Sequence, residues 1–260
     1  MPLMPGAEPF AADGGPVGAL LCHGFTGTPQ SLRPWAQHLA AAGLTVRLPR
    51  LAGHGTRWQD LASTRWPDWY ATVDRALDEL RERCSTVVVC GLSMGGTLAL
   101  RLAQQRGADV DGLVLVNPSV LSLRRAVRLL PLLQLAVPTV PGIGSDIARP
   151  GVVELAYDRT PLRALHSLTR LWALTRQDLD RVTAPLLVMR SAVDHVVEPA
   201  STEAVLAGVA SKDVEQRVLA RSHHVATLDY DADSIFAATV EFADRVSGRR
   251  HLFPSEAASA

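Results

Sequence analysis

Ser93 lies at the centre of Gly91-Leu92-Ser93-Met94-Gly95, where the β-branched run 87–89 gives way to a helical pattern. A serine with a glycine two positions to either side suits a sharp strand-to-helix turn. Such a turn strains the central backbone, lifts the hydroxyl clear of the sheet and leaves no room for side chains at the flanking positions. Gly96 extends that clearance and lets the following helix lie close to the sheet. The pentapeptide alone fits an ordinary tight turn equally well. The chemistry it would support is attack on an acyl carbon. A serine hydroxyl is a weak nucleophile at neutral pH unless a base stands within hydrogen-bond reach.

The chain has eight histidines to supply that base. His38 falls in a helical pattern, His166 in a Leu-rich segment and His251 in the C-terminal tail. His23 and His54 precede glycines in strand-end loops and are read as shaping those loops. His223 and His224 follow the last expected strand, where a base belongs if the order along the chain is Ser, acid, His. Two adjacent histidines cannot both face one site, and residue chemistry alone does not separate them. The acid is expected after the strand at 184–191, which points to Asp194, with Glu198 as the weaker alternative. A carboxylate there accepts the Nδ1–H of the histidine, fixes its tautomer and stabilises the imidazolium. An oxyanion needs two backbone donors. The N–H of Met94, next after the nucleophile, is one; that of Phe25, in the loop "HGFTGTPQS", is the other.

These residues fall at the ends of elements that can hold them. Short apolar runs at 17–22, 44–49, 86–90, 112–118, 184–191 and 213–220 read as strands, most of them apolar throughout, as in a parallel sheet buried on both faces. Helical spacing of apolar residues appears at 31–42, 66–83 and 233–246. The alternation implies an α/β fold with ligands bound at the carboxyl ends of strands. The segment 121–181 breaks the pattern: it is Leu-rich, punctuated by Pro131, Pro138 and Pro141, shows no obvious strand, and is far longer than a crossover needs. It is read as an inserted cap. Residues 1–120 and 182–246 then form the core domain, and 247–260 a flexible tail.

Composition narrows the function. Lys+Arg and Asp+Glu are both 26, so the net charge is zero and nucleic acid is not the expected partner. Cys22, Cys84 and Cys90 make neither a disulfide framework nor a metal-ligand spacing, which suits a reducing compartment. The N-terminus lacks the basic and apolar regions of a signal peptide, and no apolar run reaches the ~18 residues of a membrane span. The expectation is a cytoplasmic protein without a transmembrane segment. The apolar stretch 126–140 would allow transient contact with a membrane surface. Oligomeric state is left open.

Taken together, "LLCHGFTGTPQSLRPWA", "LPRLAGHGT" and "VVVCGLSMGGTLALRLA" resemble the α/β-hydrolase superfamily. The cap segment "GIGSDIARPGVVELAYDRTP" and the stretches "SAVDHVVEP" and "SHHVATLDYD" are similar, more narrowly, to bacterial monoacylglycerol lipases and their carboxylesterase relatives. The resemblance implies the α/β-hydrolase fold, a mostly parallel sheet with helices on both faces and a small inserted cap over an acyl-chain tunnel. It implies Ser93, Asp194 and His224 as the catalytic residues, selecting His224 because the base of such lipases stands directly before a V-x-T-L-D stretch. It also implies substrate-binding roles for Glu154, toward glycerol hydroxyls, and for Ile143. The expected activity is hydrolysis of monoacylglycerols, a lipid ester, with no metal and no cofactor. Alternatives are a carboxylesterase of other short- to medium-chain esters, an acyltransferase with the same triad, and a non-catalytic ligand-binding protein on the same scaffold. Relatives that cleave carbon–halogen bonds or epoxides carry aspartate at the turn, where this chain has Ser93.

Overall fold

The computed structural model describes residues 2–248. Seven strands, β1 (Phe10–Ala12), β2 (Val17–Cys22), β3 (Thr45–Leu48), β4 (Thr86–Leu92), β5 (Gly112–Val116), β8 (Leu186–Ser191) and β9 (Val214–Leu219), form one sheet in the order β1-β3-β2-β4-β5-β8-β9. All neighbours pair in parallel except β1, which runs antiparallel to β3 at one edge. β2 and β5 are buried along their whole length, and so is β4 after Thr86. Alternate residues leave these strands toward opposite faces. Leu20, Cys22, Val87 and Val89 join one apolar cluster, while Ala19, Leu21, Val88 and Cys90 join the other.

Helices cover both faces, as expected. α1 (Arg33–Ala41) and α9 (Ala232–Ser247) share one side, where Trp35 is fully buried and donates Nε1–H to Thr239 Oγ1 at 3.1 Å. α3 (Trp66–Arg81) and α4 (Met94–Arg106) lie on the opposite side, with Trp69, Val73 and Leu77 of α3 and Leu98 of α4 in the core. α3 starts where Pro67 suits the first turn and the Asp68 carboxylate accepts the Arg65 N–H at 2.8 Å. Outside the segment 121–181, three elements were not apparent in the sequence: β1, α2 (Trp58–Ser63) and α8 (Pro199–Gly208).

Between β5 and β8 come the short α5 (Arg125–Arg128) and α6 (Leu130–Ala136), then β6 (Thr139–Pro141), β7 (Arg159–Pro161) and α7 (Leu162–Gln177). β6 and β7 pair as a small antiparallel ribbon, although no strand was expected in this segment. Three-residue strands that contain proline carry too little periodicity to read. α7 places Ala164, Leu168, Leu171 and Trp172 in the main core, whereas Leu132 and Leu135 of α6 are 70% and 75% exposed. At the C-terminus, α9 runs one residue into the stretch read as tail and is capped by Gly248 in the left-handed conformation, φ 70°. The rest of that stretch, 249–260, lies outside the described residues.

Candidate active site

The sheet's carboxyl edge gathers the candidate residues. β4 turns into α4 through Ser93, whose backbone takes φ +57°, ψ −119°, a conformation L-residues rarely adopt. Close packing demands it. A Cβ at Gly95 would lie 1.8 Å from the Cys22 carbonyl oxygen, and one at Gly91 would lie 2.3 Å from the Gly95 backbone. The end of β5 braces the turn: Ser93 N–H donates to Val116 O at 3.1 Å, and Ser119 N–H donates to Ser93 O at 3.1 Å. Ser93 remains partly exposed at the mouth, and the helix that starts behind it directs its N-terminal dipole there.

Asp194 follows β8 and His224 follows β9. His224 Nδ1 lies 2.8 Å from Asp194 Oδ2, with both side chains less than a tenth exposed. The other carboxylate oxygen, Oδ1, accepts the N–H groups of Val196 and Val197 at 2.8 Å each, which fixes the group as an acceptor oriented toward the imidazole. Glu198, the alternative acid, instead accepts Leu123 N–H at 3.2 Å and tethers the start of the cap segment. The adjacent histidine His223 turns the other way, with Nδ1 3.4 Å from Asp146 Oδ1.

The loop after β2 passes over the serine: a Cβ on Gly24 would lie 3.6 Å from Ser93 Cβ. This brings the loop that holds Phe25 close to Ser93, which Met94 follows as the first residue of α4. His23 and His54 are buried and structural. Leu51 N–H donates to His23 Nε2 at 3.1 Å, so Nδ1 carries the proton toward Gly24 O at 3.0 Å. Burial lowers the His23 pKa to about 4, and burial also holds His54 well below its ordinary value. Both rings therefore stay neutral at pH 7.

The cap segment straps onto the same loop. Tyr157 N–H donates to Thr26 O at 3.0 Å, and Gln30 accepts Leu155 N–H at 2.9 Å while donating to Val153 O at 3.2 Å. Between these anchors Glu154 turns its carboxyl inward. A Cβ at Gly27 would lie 2.7 Å from its Oε1. Burial pushes its pKa up to about 7 against the opposing pull of His224, so this group is near its titration point at neutral pH. Ile143, also in the cap segment, is 48% exposed.

Two residues that sequence reasoning missed organise the histidine loop. Asn117, buried with φ +45°, donates Nδ2–H to Ser191 Oγ at 2.9 Å and to His224 O at 2.8 Å, and accepts Ser191 N–H at 2.8 Å. It ties the ends of β5 and β8 to the His224 backbone, one residue beyond the carbonyl that holds Ser93. Its only sequence signal is an asparagine directly after a buried strand, a type tolerant of positive φ. Asp146 of the cap segment accepts the N–H groups of both His195 and His224 on Oδ2, at 3.1 and 3.2 Å. Nothing in the sequence marks it.

A serine on a strained turn, a carboxylate-held imidazole and a backbone loop beside them are the parts that acyl transfer through a covalent intermediate would use. Comparison with known proteins points the same way. The profile of the serine aminopeptidase S33 family (Hydrolase_4) matches residues 18–231. A thermostable monoacylglycerol lipase of Bacillus sp. (strain H-257) is 45% identical over 252 residues, covering 95% of this chain and 98% of that protein. A carboxylesterase of Bacillus subtilis (strain 168) is 27% identical, covering 92% and 97%. Among solved structures, one reported for the metagenome-derived lipolytic enzymes LipS and LipT superposes with a TM-score of 0.91 at 39% identity, covering 94% of this chain and all of that one.

Proposed function

The chain belongs to the serine aminopeptidase S33 family, a hydrolase family with the α/β-hydrolase fold, and from that premise we propose that it cleaves monoacylglycerols to fatty acid and glycerol through an acyl-enzyme. The observation that carries the substrate class is the identity of 45%, over nearly the whole of both chains, to a monoacylglycerol lipase. The inward carboxyl of Glu154 supports it, since an enclosed acceptor beside an ester site suits glycerol hydroxyls.

In this reading Ser93 Oγ attacks the ester carbonyl while His224 Nε2 takes its proton. Asp194, 2.8 Å from Nδ1, holds the tautomer and stabilises the imidazolium. The N–H groups of Phe25 and Met94 bind the oxyanion. His224 then protonates the departing glycerol oxygen, and water attacks the acyl-enzyme with His224 again as base. Ile143 faces the acyl chain. The segment 121–181 acts as the cap: its outer part, including α5 and α6, borders the substrate, and α7 anchors it through Leu168, Leu171 and Trp172. No helix among the described residues is long and apolar enough to cross a membrane. Leu129, Leu132 and Leu135 are all more than half exposed, which supports transient seating of the cap on a lipid surface. The buried free thiols of Cys22, Cys84 and Cys90 suit a reducing, cytoplasmic location.

A kinetic series of monoacylglycerols of increasing chain length, set beside triacylglycerols and short aryl esters, tests the substrate class. Monoacylglycerols should give the highest kcat/KM. A clear preference for aryl or acetyl esters would favour the second reading, a general carboxylesterase like the Bacillus subtilis relative. Ser93→Ala should abolish both turnover and fluorophosphonate labelling, and retention of either would exclude Ser93 as nucleophile.

A further inference from the structure

We propose that Asp146, His195 and His223 form a binding site for one zinc-class divalent ion, which fastens the cap segment to the two loops that carry Asp194 and His224. None of the three belongs to the triad, yet each histidine is the chain neighbour of a triad residue. Asp146 Oδ1 lies 2.8 Å from His195 Nδ1 and 3.4 Å from His223 Nδ1, and the three donor atoms all fall within 4.8 Å of one another. Bonds of about 2.0–2.1 Å to a tetrahedral ion set its ligand atoms about 3.3 Å apart. Both carboxylate–imidazole pairs are close to that spacing already. The two rings meet edge to face, 4.8 Å between centroids, so a small rotation of the exposed His195 closes the third edge.

The surroundings are those a metal site needs. The second oxygen of Asp146 accepts the N–H groups of His195 and His224 at 3.1 and 3.2 Å, which orients the ligating oxygen. His223 is held through its own N–H, donated to Asp229 Oδ2 at 2.8 Å, and Asp229 also accepts Ala148 N–H at 2.7 Å from the cap segment. The His195 side chain is 62% exposed, which provides an entry path and leaves the fourth position to water. Two imidazoles and one carboxylate favour zinc, nickel or copper over magnesium or calcium, which prefer all-oxygen shells.

Isothermal titration of the metal-stripped full-length chain with zinc chloride tests the proposal. One ion per chain should bind, with the melting temperature rising on saturation. His195→Ala and His223→Ala should each weaken the affinity by roughly tenfold or more and cancel that rise, while melting as the wild type does without metal. His195, the more exposed ligand, keeps the test open if His223→Ala folds poorly. No saturable binding up to about 1 mM zinc, or equal affinity in His195→Ala and the wild type, would overturn the proposal and leave the cluster as hydrogen bonds only.

Discussion

Replacing Asn117 by alanine tests whether the histidine loop is held from the sheet or merely rests on it. The residue is 1% exposed and makes three hydrogen bonds, of 2.8, 2.8 and 2.9 Å, two with Ser191 and one with the His224 carbonyl. Alanine would strand the His224 carbonyl and the Ser191 N–H in a buried setting. Each orphaned group costs about 1–3 kcal/mol. Ser191 Oγ loses less, because it still donates to His223 O at 2.8 Å. Alanine at φ +45° adds about 1 kcal/mol of backbone strain that asparagine tolerates better. Entry of water into the vacated space offsets part of this, so a loss of about 3 kcal/mol is expected. For a chain of this size that corresponds to a fall of about 6–12 °C in melting temperature. Urea unfolding gives the free energy, and ester hydrolysis below the melting range gives kcat and KM. Because the bond is to the His224 backbone, kcat should fall further than KM rises. A loss of less than about 1 kcal/mol with unchanged kcat would refute this account of how the loop is positioned.

Other perturbations reach the site from different sides. Gly95→Ala places a methyl 1.8 Å from the Cys22 carbonyl oxygen, so the turn and the loop after β2 must separate. A displacement near 1 Å costs about a hundredfold in rate, and a variant with more than half the wild-type kcat/KM would show that the contact can relax. Glu154 has its pKa raised from 4.5 to about 7 in the folded chain, so it retains its proton at pH values where the unfolded chain has lost it. Stability therefore falls as pH rises from 4.5 to 7, and Glu154→Gln should be level with the wild type at low pH and more stable above pH 7. If the carboxylate accepts glycerol hydroxyls, KM for monoacylglycerols falls through the same pH range in the wild type and stays flat in Glu154→Gln. A wild-type-like pH dependence in the variant would remove Glu154 from substrate binding.

Much of this arrangement was legible because strong periodicity coincided with buried elements. The strands read at 17–22 and 112–118 match β2 and β5, the second overrunning by two residues, since parallel strands buried on both faces appear as unbroken apolar runs. β1 escaped because three residues at an antiparallel edge show no period, and α2 because six residues make fewer than two turns. The turn at Ser93 could be read from its glycines, whose need is local. The choice between His223 and His224 could not be made from residue type, because it depends on which ring faces Asp194 and which faces Asp146. Asn117 and Asp146 were hidden for a related reason. Asn117 reaches partners 74 and 107 residues away, and Asp146 reaches His224 78 residues on. Contacts of that separation leave no spacing rule in the chain.

Among the described residues, the non-glycine positions with positive φ are Thr26, Ser93 and Asn117. They lie in the loop over Ser93, at Ser93 itself and at the support of the loop that carries His224. Glycine would relax each backbone, yet it would also delete the hydroxyl or amide that makes the position useful. Directed evolution toward heat resistance therefore works on a divided landscape. Helix caps, loops and surface charge remain open to improvement, while relaxing these three backbones with glycine is expected to lower activity.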